Sequence, residues 1–364
     1  MFNYLCLSID GLQSGMLGAY GNTWIHTPTL DLLACQSVLF DRFYASTMDL
    51  SAAFTEWWHM LPECRKILLT DDSDVFLHEQ AGQFDEKYRT ESTRAGKRKS
   101  PAALHQRIHG RANVPPLVIE KTQFFRNTAT IADLLRNRSE KPFFLWAHFE
   151  GFRGYWDFPL AYRKQYQIDE DPDPYPGVDV PDINWHNTDT GMNTGIDPDV
   201  VQSVREAYSG GVTVLDESMS GLLAFLSAEG LDKNTVLLFT SLRGFSLGEH
   251  NRVGVNEELY GENVHLPLFI RFPETSPYRL RWGGCRSQTL LQPADIFSVL
   301  QKDDLPEEPD AVHSFIRIGN QVIVTPDWFV YRRSSGNELY VKPDDRWEVN
   351  NVADRCPHIL EEIP

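Results

Sequence analysis

The sequence predicts an α/β protein with a central mixed, mostly parallel sheet sandwiched by helices, and a small antiparallel sheet at the carboxyl end. Three observations predict it. Short apolar runs without polar alternation, at 4–9, 143–149 and 236–240, read as strands buried on both faces. Segments with apolar residues at helical spacing separate them, above all 201–229. Past about residue 310 the pattern changes to short runs broken by Gly-Asn, Pro-Asp and Ser-Ser-Gly-Asn, the signature of an antiparallel meander.

The opening run, Asn3 to Ile9, closes in Asp10-Gly11, a turn signal that ends a strand. Thr27 and Pro28 supply an N-cap and an N1 proline, and Leu30, Leu33 and Ala34 follow at helical spacing, so a helix is expected over 28–36. A strand is expected over 38–44 and an aromatic-rich one over 143–149. In the long helix, Val204, Ala207, Val212, Leu215, Leu222, Leu223 and Leu226 form the apolar face, with Gly210-Gly211 a weak point. Asn234 punctuates before the strand at 236–240; another follows at 266–272, then a short helix at 293–300. The meander is expected at 314–318, 321–325, 328–332 and 338–341, dividing the chain into 1–309 and 310–364. Residues 86–99, with Lys87, Arg89, Arg94, Lys97, Arg98 and Lys99, read as a solvated basic loop. The Asp-, Pro- and Gly-rich stretch 169–199 reads as a long surface loop without the regular acidic alternation of an EF-hand.

Composition narrows the function. A chain of 364 residues with 41% hydrophobic and 23% charged residues can bury a substantial core. Its 34 Lys and Arg against 51 Asp and Glu give a net charge of −17, which repels polyanions and argues against nucleic acid as a partner. No run approaches the roughly 20 apolar residues that span a bilayer, so no membrane partner is expected. Nor does the beginning of the chain show the charged and apolar regions of a secretory signal. Five dispersed cysteines without CxxC spacing support neither a disulfide framework nor a zinc site, and a cytoplasmic location is expected.

Several ordered patterns resemble the sulfatases, within the alkaline phosphatase superfamily. They are Ile9-Asp10-Gly11-Leu12, Leu17-Gly18-Ala19-Tyr20-Gly21-Asn22 and Thr27-Pro28-Thr29-Leu30-Asp31, then Ser37-Val38-Leu39-Phe40-Asp41. Phe144-Leu145-Trp146-Ala147-His148-Phe149 is similar to the family's central strand, and Tyr208 to Asp216 followed by Phe239-Thr240-Ser241 to its later helix and strand. Leu247-Gly248-Glu249-His250, Leu266-Pro267-Leu268-Phe269 and Gln292-Pro293-Ala294-Asp295 continue the likeness, which covers about residues 1–50 and 143–355 around a divergent insert at about 55–140.

The resemblance implies hydrolysis of sulfate or phosphate esters with a divalent cation, usually calcium, and a cysteine-derived nucleophile with Ser or Thr in some relatives. The metal would lower the nucleophile's pKa while cationic side chains neutralise developing charge. At the implied positions this sequence departs. Of the cage, Asp10 stays as a vestigial ligand, followed by Gly11, and the later pair is Leu242-Arg243. The nucleophile position falls on Leu50 and the motif's arginine on Phe54; a family histidine aligns with Arg153, and the usual lysine is missing near Val255 and Asn256. No metal and no cofactor is therefore expected.

The residues leave three readings. Asp10, Arg153 and Arg243 would form a metal-free pocket binding a small molecule bearing sulfate, phosphate or carboxylate, as in a catalytically degenerate homologue. Alternatively, Ser51 or Asp49, with Thr47 close by, would serve a divergent hydrolase lacking the usual metal. A purely structural or partner-binding protein would have its cleft plugged by Phe54, Trp57 or Leu242. His148 is either a satisfied core histidine or a pocket acid, and His250 is expected to cap backbone groups or act as a ligand. The aromatic stretch from Phe54 to Trp58 either fills the pocket mouth or forms an apolar patch.

Overall fold

The computed structural model of the protein describes residues 2–59, 64–91, 119–137, 141–177, 179–181, 183–184, 197–296, 300 and 313–363. In chain order the main elements are β1 (Asn3–Ile9), α1 (Pro28–Cys35), β2 (Val38–Phe40), α2 (Leu50–His59), β3 (Arg65–Thr70), α3 (Ser73–Leu77), β4 (Glu86–Arg89), α4 (Gln123–Arg136) and β5 (Phe143–Phe149). Next come α5 (Pro198–Ala228), β6 (Thr235–Thr240), β7 (Leu268–Arg271) and β8 (Arg286–Ser287). The chain ends in β9 (Ile316–Ile318), β10 (Val322–Val324), β11 (Trp328–Arg333) and β12 (Gly336–Val341).

The central sheet has eight strands in the order β8-β2-β7-β6-β1-β5-β3-β4. Only β7 runs against the rest, pairing antiparallel with both β6 and β2. Alternation along the strands divides the core. Leu5, Leu7 and Ile9 of β1 and Phe143, Leu145 and Ala147 of β5 pack with α1, α4 and α5, while Cys6, Phe144 and Trp146 face α2. The four-stranded antiparallel sheet β9-β10-β11-β12 joins the α2 side, where Ile316, Ile318, Val322 and Phe329 share one apolar cluster with Phe54 and Trp146.

The mixed sheet, the antiparallel appendage and most elements match expectation. The differences have local causes. The strand expected over 38–44 ends at Phe40, and Phe43 and Tyr44 make only isolated bridges. Thr27 does not cap α1: its hydroxyl donates to Asp31, and Asp216 of α5 accepts instead from the N–H groups of Thr29 (3.1 Å) and Leu30 (2.8 Å).

Gly210 and Gly211 are not a weak point, since α5 runs through them unbroken. A Cβ at Gly210 would meet the backbone N of Arg163 at 2.6 Å and one at Gly211 the Phe158 ring at 2.4 Å, so these glycines permit close packing. Of the helix expected over 293–300, Pro293–Asp295 form a 3-10 turn and Ile296 and Leu300 are helical, with residues 297–299 outside those described.

The divergent insert contributes β3, an interior strand, and β4 at the edge. Residues 86–89 are therefore strand rather than loop, while 92–99 lie outside the described residues. Much of 169–199 is likewise outside them, and 183–184 form a short strand.

Candidate functional site

The carboxyl ends of β1, β3, β5 and β6 meet on one edge of the sheet, on both sides of β1, where chain direction diverges to opposite flanks. Such a switch point opens a crevice beyond the strand ends. Here it is a cavity of about 660 Å³ whose lining includes Asp10, Ser51, Phe54, Asp72, Arg153 and Arg243.

Asp10 follows β1 directly and is 1% exposed. Arg243, in the turn after β6, points back at it. Its Nε lies 3.3 and 3.2 Å from the two carboxylate oxygens, and its Nη2 also donates to Oδ2. Arg153, after β5, brings its Nε to 3.7 Å from Oδ2. The backbone fixes this grouping: Gly11 N–H donates to the Arg243 carbonyl (2.8 Å), and Phe152 N–H to the Asp10 carbonyl (2.8 Å).

Burial alone would raise the Asp10 pKa, but Arg243 and Arg153 outweigh it and hold the carboxyl below its usual range. Burial pushes Arg153 down to about 10, against the pull of Asp10, so it stays charged at neutral pH. The Asp10 carboxylate faces two guanidiniums, and the buried Asp72 carboxylate is near enough to act on both of them. The Arg153 Nη1 donor is buried without a hydrogen-bond partner.

His148, on β5, is fully buried beneath this floor. Its Nδ1 lies 2.9 Å from Ser8 Oγ, which also accepts from Trp146 Nε1 (2.9 Å). Its Nε2 has no hydrogen-bond partner and stands 3.9 Å from Asp72 Oδ2. Burial lowers its pKa and favours the neutral ring. It is thus a partly satisfied core histidine under the site. Its neighbours Asp71 and Asp72, which the sequence reading missed, close β3. Asp71 accepts from Asn127 (2.7 Å) and from Glu150 N–H (2.9 Å), and burial raises it to about 6. Asp72 caps α3.

Ser51 lies in the first turn of α2, with its Oγ 2.7 Å from His78 Nε2, another residue the sequence reading missed. The backbone N–H of Gln80 donates to His78 Nδ1 (3.1 Å), so the neutral ring carries its proton on Nε2 and donates it to Ser51. Asp49 is occupied by Ala52 N–H (2.7 Å).

His250 does not join the cleft. It donates from Nε2 to the Glu348 carbonyl (3.1 Å) and from Nδ1 to the Glu262 carboxylate (3.0 Å), and stacks on Tyr260 at 3.5 Å. The aromatic stretch fills rather than projects. Phe54 and Trp57 are buried, with Phe54 stacked 4.7 Å from Trp146. Phe54 forms part of the wall, while Trp57 and Leu242 pack away from the opening, so the cleft is not plugged.

The cage positions can be tested against a divalent ion of the calcium type, which takes roughly six to eight oxygen ligands. Both Asp10 oxygens are held by Arg243, and Leu242 is buried and apolar. Gly11 has φ +73°, and a Cβ there would meet Arg153 Cγ at 2.7 Å, leaving no space for a second carboxylate. These donors do not fit such an ion. Among the described residues no group of three or more His, Cys, Asp and Glu converges as metal ligands.

Comparison with known proteins gives a consistent picture. The sulfatase family model matches residues 88–300. An arylsulfatase of Clostridium perfringens is 31% identical over 246 residues, 57% of this chain and 48% of that protein. The iduronate 2-sulfatase of Mus musculus is 22% identical over 338 residues, 76% of this chain and 60% of the relative. The chain therefore matches between about half and three fifths of the length of these relatives.

Among solved structures, one in complex with its substrate D-glucosamine-2-N,6-O-disulfate superposes with a TM-score of 0.70 at 15% identity, covering 99% of this chain and 95% of that one. A phosphonate monoester hydrolase of Agrobacterium radiobacter does so at 0.66 and 16%, covering 99% and 93%. At such identities the likeness speaks for the fold.

Proposed function

Because the chain belongs to the sulfatase family, we propose that its cleft binds a sulfate, phosphate or carboxylate group on Arg153 and Arg243 without metal-dependent hydrolysis. The observation that carries this reading is the Arg243 guanidinium lying against both oxygens of Asp10, with Arg153 beside it. The two guanidiniums outnumber the Asp10 carboxylate they share, and both line an open cavity of about 660 Å³. Guanidinium groups suit such ligands because their planar donor fork matches the geometry of an oxyanion.

Two further features support binding over turnover. The sulfatase resemblance puts the nucleophile position on Leu50, whose side chain offers no attacking atom. A second reading, hydrolysis through Ser51, draws on the Ser51–His78 contact. The neutral His78 tautomer there is a donor, however, and a serine without an accepting base is a weak nucleophile.

The test is thermal unfolding in sodium sulfate against sodium chloride of equal ionic strength, beside metal analysis and assays with aryl sulfate and aryl phosphate. Stabilisation by sulfate that disappears in Arg153→Leu, with hydrolysis at background in the presence of calcium, is expected. Stoichiometric calcium together with turnover lost in Asp10→Ala would overturn the proposal.

A further inference from the structure

We infer that a second cavity, between the central sheet and the carboxyl-terminal sheet, binds a small organic anion, with its charged group on Arg42, Arg346 and the Tyr44 hydroxyl and its apolar body against Trp347. The inference goes beyond the reading of the cleft, with which this cavity of about 490 Å³ shares no lining residue.

An accounting of charge singles out the two arginines. The carboxylates of the lining are Asp41, Glu262 and Glu348, and each already has partners. Asp41 accepts from Arg286 and Gln288, Glu262 from His250 (3.0 Å), and Glu348 from Lys342 and the Gly261 N–H (3.1 Å). His265, in the same lining, is neutral. Burial lowers its pKa to about 4, its Nε2 donates to the Asp41 carbonyl (2.8 Å), and its Nδ1 accepts from Ser14 Oγ (3.2 Å).

Among the described residues, neither Arg42 nor Arg346 makes an ion pair. Asp41 and Glu348 act on Arg346 only from beyond contact distance. Its Nη1 donates to the Tyr20 carbonyl (2.8 Å), while among the described residues the Arg42 guanidinium makes no hydrogen bond. In a chain of net charge −17, two guanidiniums without a carboxylate on one cavity are a local excess of positive charge.

Tyr44 is the independent second observation. It is 7% exposed and lines the cavity, yet its hydroxyl makes no hydrogen bond among the described residues. A phenol so deeply buried nearly always has a partner. Unlike the unpartnered atoms enclosed in the interior, this one reaches a surface, and the surface it reaches is the cavity. The charges that act on it belong to Glu348 and Arg42, both of the same lining. A spare O–H donor beside a spare guanidinium is the donor set an oxyanion takes.

The rim supplies the apolar contact. Trp347 is 42% exposed but fixed, because a Cβ at Gly15 would meet its ring at 2.7 Å and the Arg346 guanidinium lies 5.0 Å from its centre. An anchored indole beside a cation suits a ligand whose ring adjoins its anionic group.

The test is calorimetric titration of the full chain with phenyl phosphate and with inorganic phosphate. Phenyl phosphate also suits the Arg153–Arg243 floor, so the titrations are repeated in Arg153→Leu. Binding is expected to persist there, and to weaken about tenfold on adding Arg42→Gln or Arg346→Gln, the scale of one charge-assisted hydrogen bond. Tyr44→Phe keeps the ring and removes a hydroxyl that the fold does not bond, so affinity falls about fivefold at an unchanged unfolding temperature. Inorganic phosphate, without the ring, binds this site about tenfold more weakly than phenyl phosphate. The parent is expected to take up about two phenyl phosphates per chain and Arg42→Gln about one, a comparison that does not depend on Arg153→Leu folding.

One phenyl phosphate per parent chain, lost in Arg153→Leu, would overturn the second site and leave the cleft reading standing. Binding in Arg153→Leu that is indifferent to Arg42→Gln and Tyr44→Phe would overturn it as well. Equal affinity of the two phosphates at this site would overturn the apolar contact and with it the organic ligand. Binding untouched by Arg153→Leu but weakened in Tyr44→Phe would support this site while removing the cleft reading.

Discussion

Two of the places where the molecule buries charge handle it differently. At the junction with the carboxyl-terminal sheet, His250 donates through both ring nitrogens, to Glu262 and to the Glu348 carbonyl. Lys342 donates to Asp345 O (2.8 Å), Arg346 O (3.2 Å) and the Glu348 carboxylate, whose other oxygen accepts from Gly261 N–H (3.1 Å). His250, Lys342 and Glu348 are each consumed by the structure. At the cleft floor, one carboxylate is shared by two guanidiniums and Arg153 Nη1 is left over. Buried charge with its donors placed is scaffold, whereas guanidiniums that outnumber their carboxylate and line a cavity are candidates for binding.

The largest expected effect that would break this contrast comes from Asp10→Asn, which strips the countercharge from two buried guanidiniums. Chemical denaturation at pH 7 should show a loss of about 3–5 kcal/mol, the range for one partner removed from a buried pair. Sulfate should restore more stability to the variant than it adds to the parent. A loss near the roughly 0–1 kcal/mol of a surface pair would mean the floor is no different from the exterior.

Gly11→Ala tests the same floor more gently. It places a Cβ 2.7 Å from Arg153 Cγ at a φ of +73°. A loss of about 1–3 kcal/mol is expected, with sulfate affinity falling as Arg153 is displaced.

The two regions also differ in sign with pH. Asp10 has a depressed folded pKa, so its contribution is present at neutral pH and lost only as pH falls through that value. Burial pushes Glu348 up to about 7 from its ordinary 4.5, partly offset by Lys342. Its contribution is complete below about pH 4.5 and is lost as pH rises through about 7. Glu348→Gln should flatten the decline in unfolding temperature between pH 5 and pH 7.5 while sulfate still stabilises the variant, since Glu348 does not line the cleft. The smallest effect is expected from Ser51→Ala. A change in stability under about 0.5 kcal/mol, with sulfate binding retained, fits an exposed serine outside the floor.

Much of the fold was legible because its signals are local. The unalternating apolar runs of β1, β5 and β6 announce strands buried on both faces, and Pro28 and the periodicity after it mark α1. What stayed hidden depends on contacts distant in sequence. Asp216 caps α1 from about 190 residues away, a pairing no local pattern reveals. β3 was missed although Ile67, Leu68 and Leu69 form an apolar run, because the surrounding insert carries no family likeness. The Asp10–Arg243 pairing was legible because the sulfatase resemblance puts both residues at positions of the family's metal cage. His78 and Asp72 were not, for they enter the cleft only once β3 is placed beside β5.

The packing of Arg153 over Gly11 also bears on how such a floor can change over generations. Placing a carboxylate at position 11 alone would collide with Arg153, and placing one at position 243 alone would set it against Asp10 with too few ligands for an ion. Removing Arg153 first would leave the Asp10–Arg243 pair intact and still no cage. No single replacement therefore builds a cage at this floor: Asp10, Arg153, Arg243 and Gly11 interlock, and only several simultaneous replacements would make room for one.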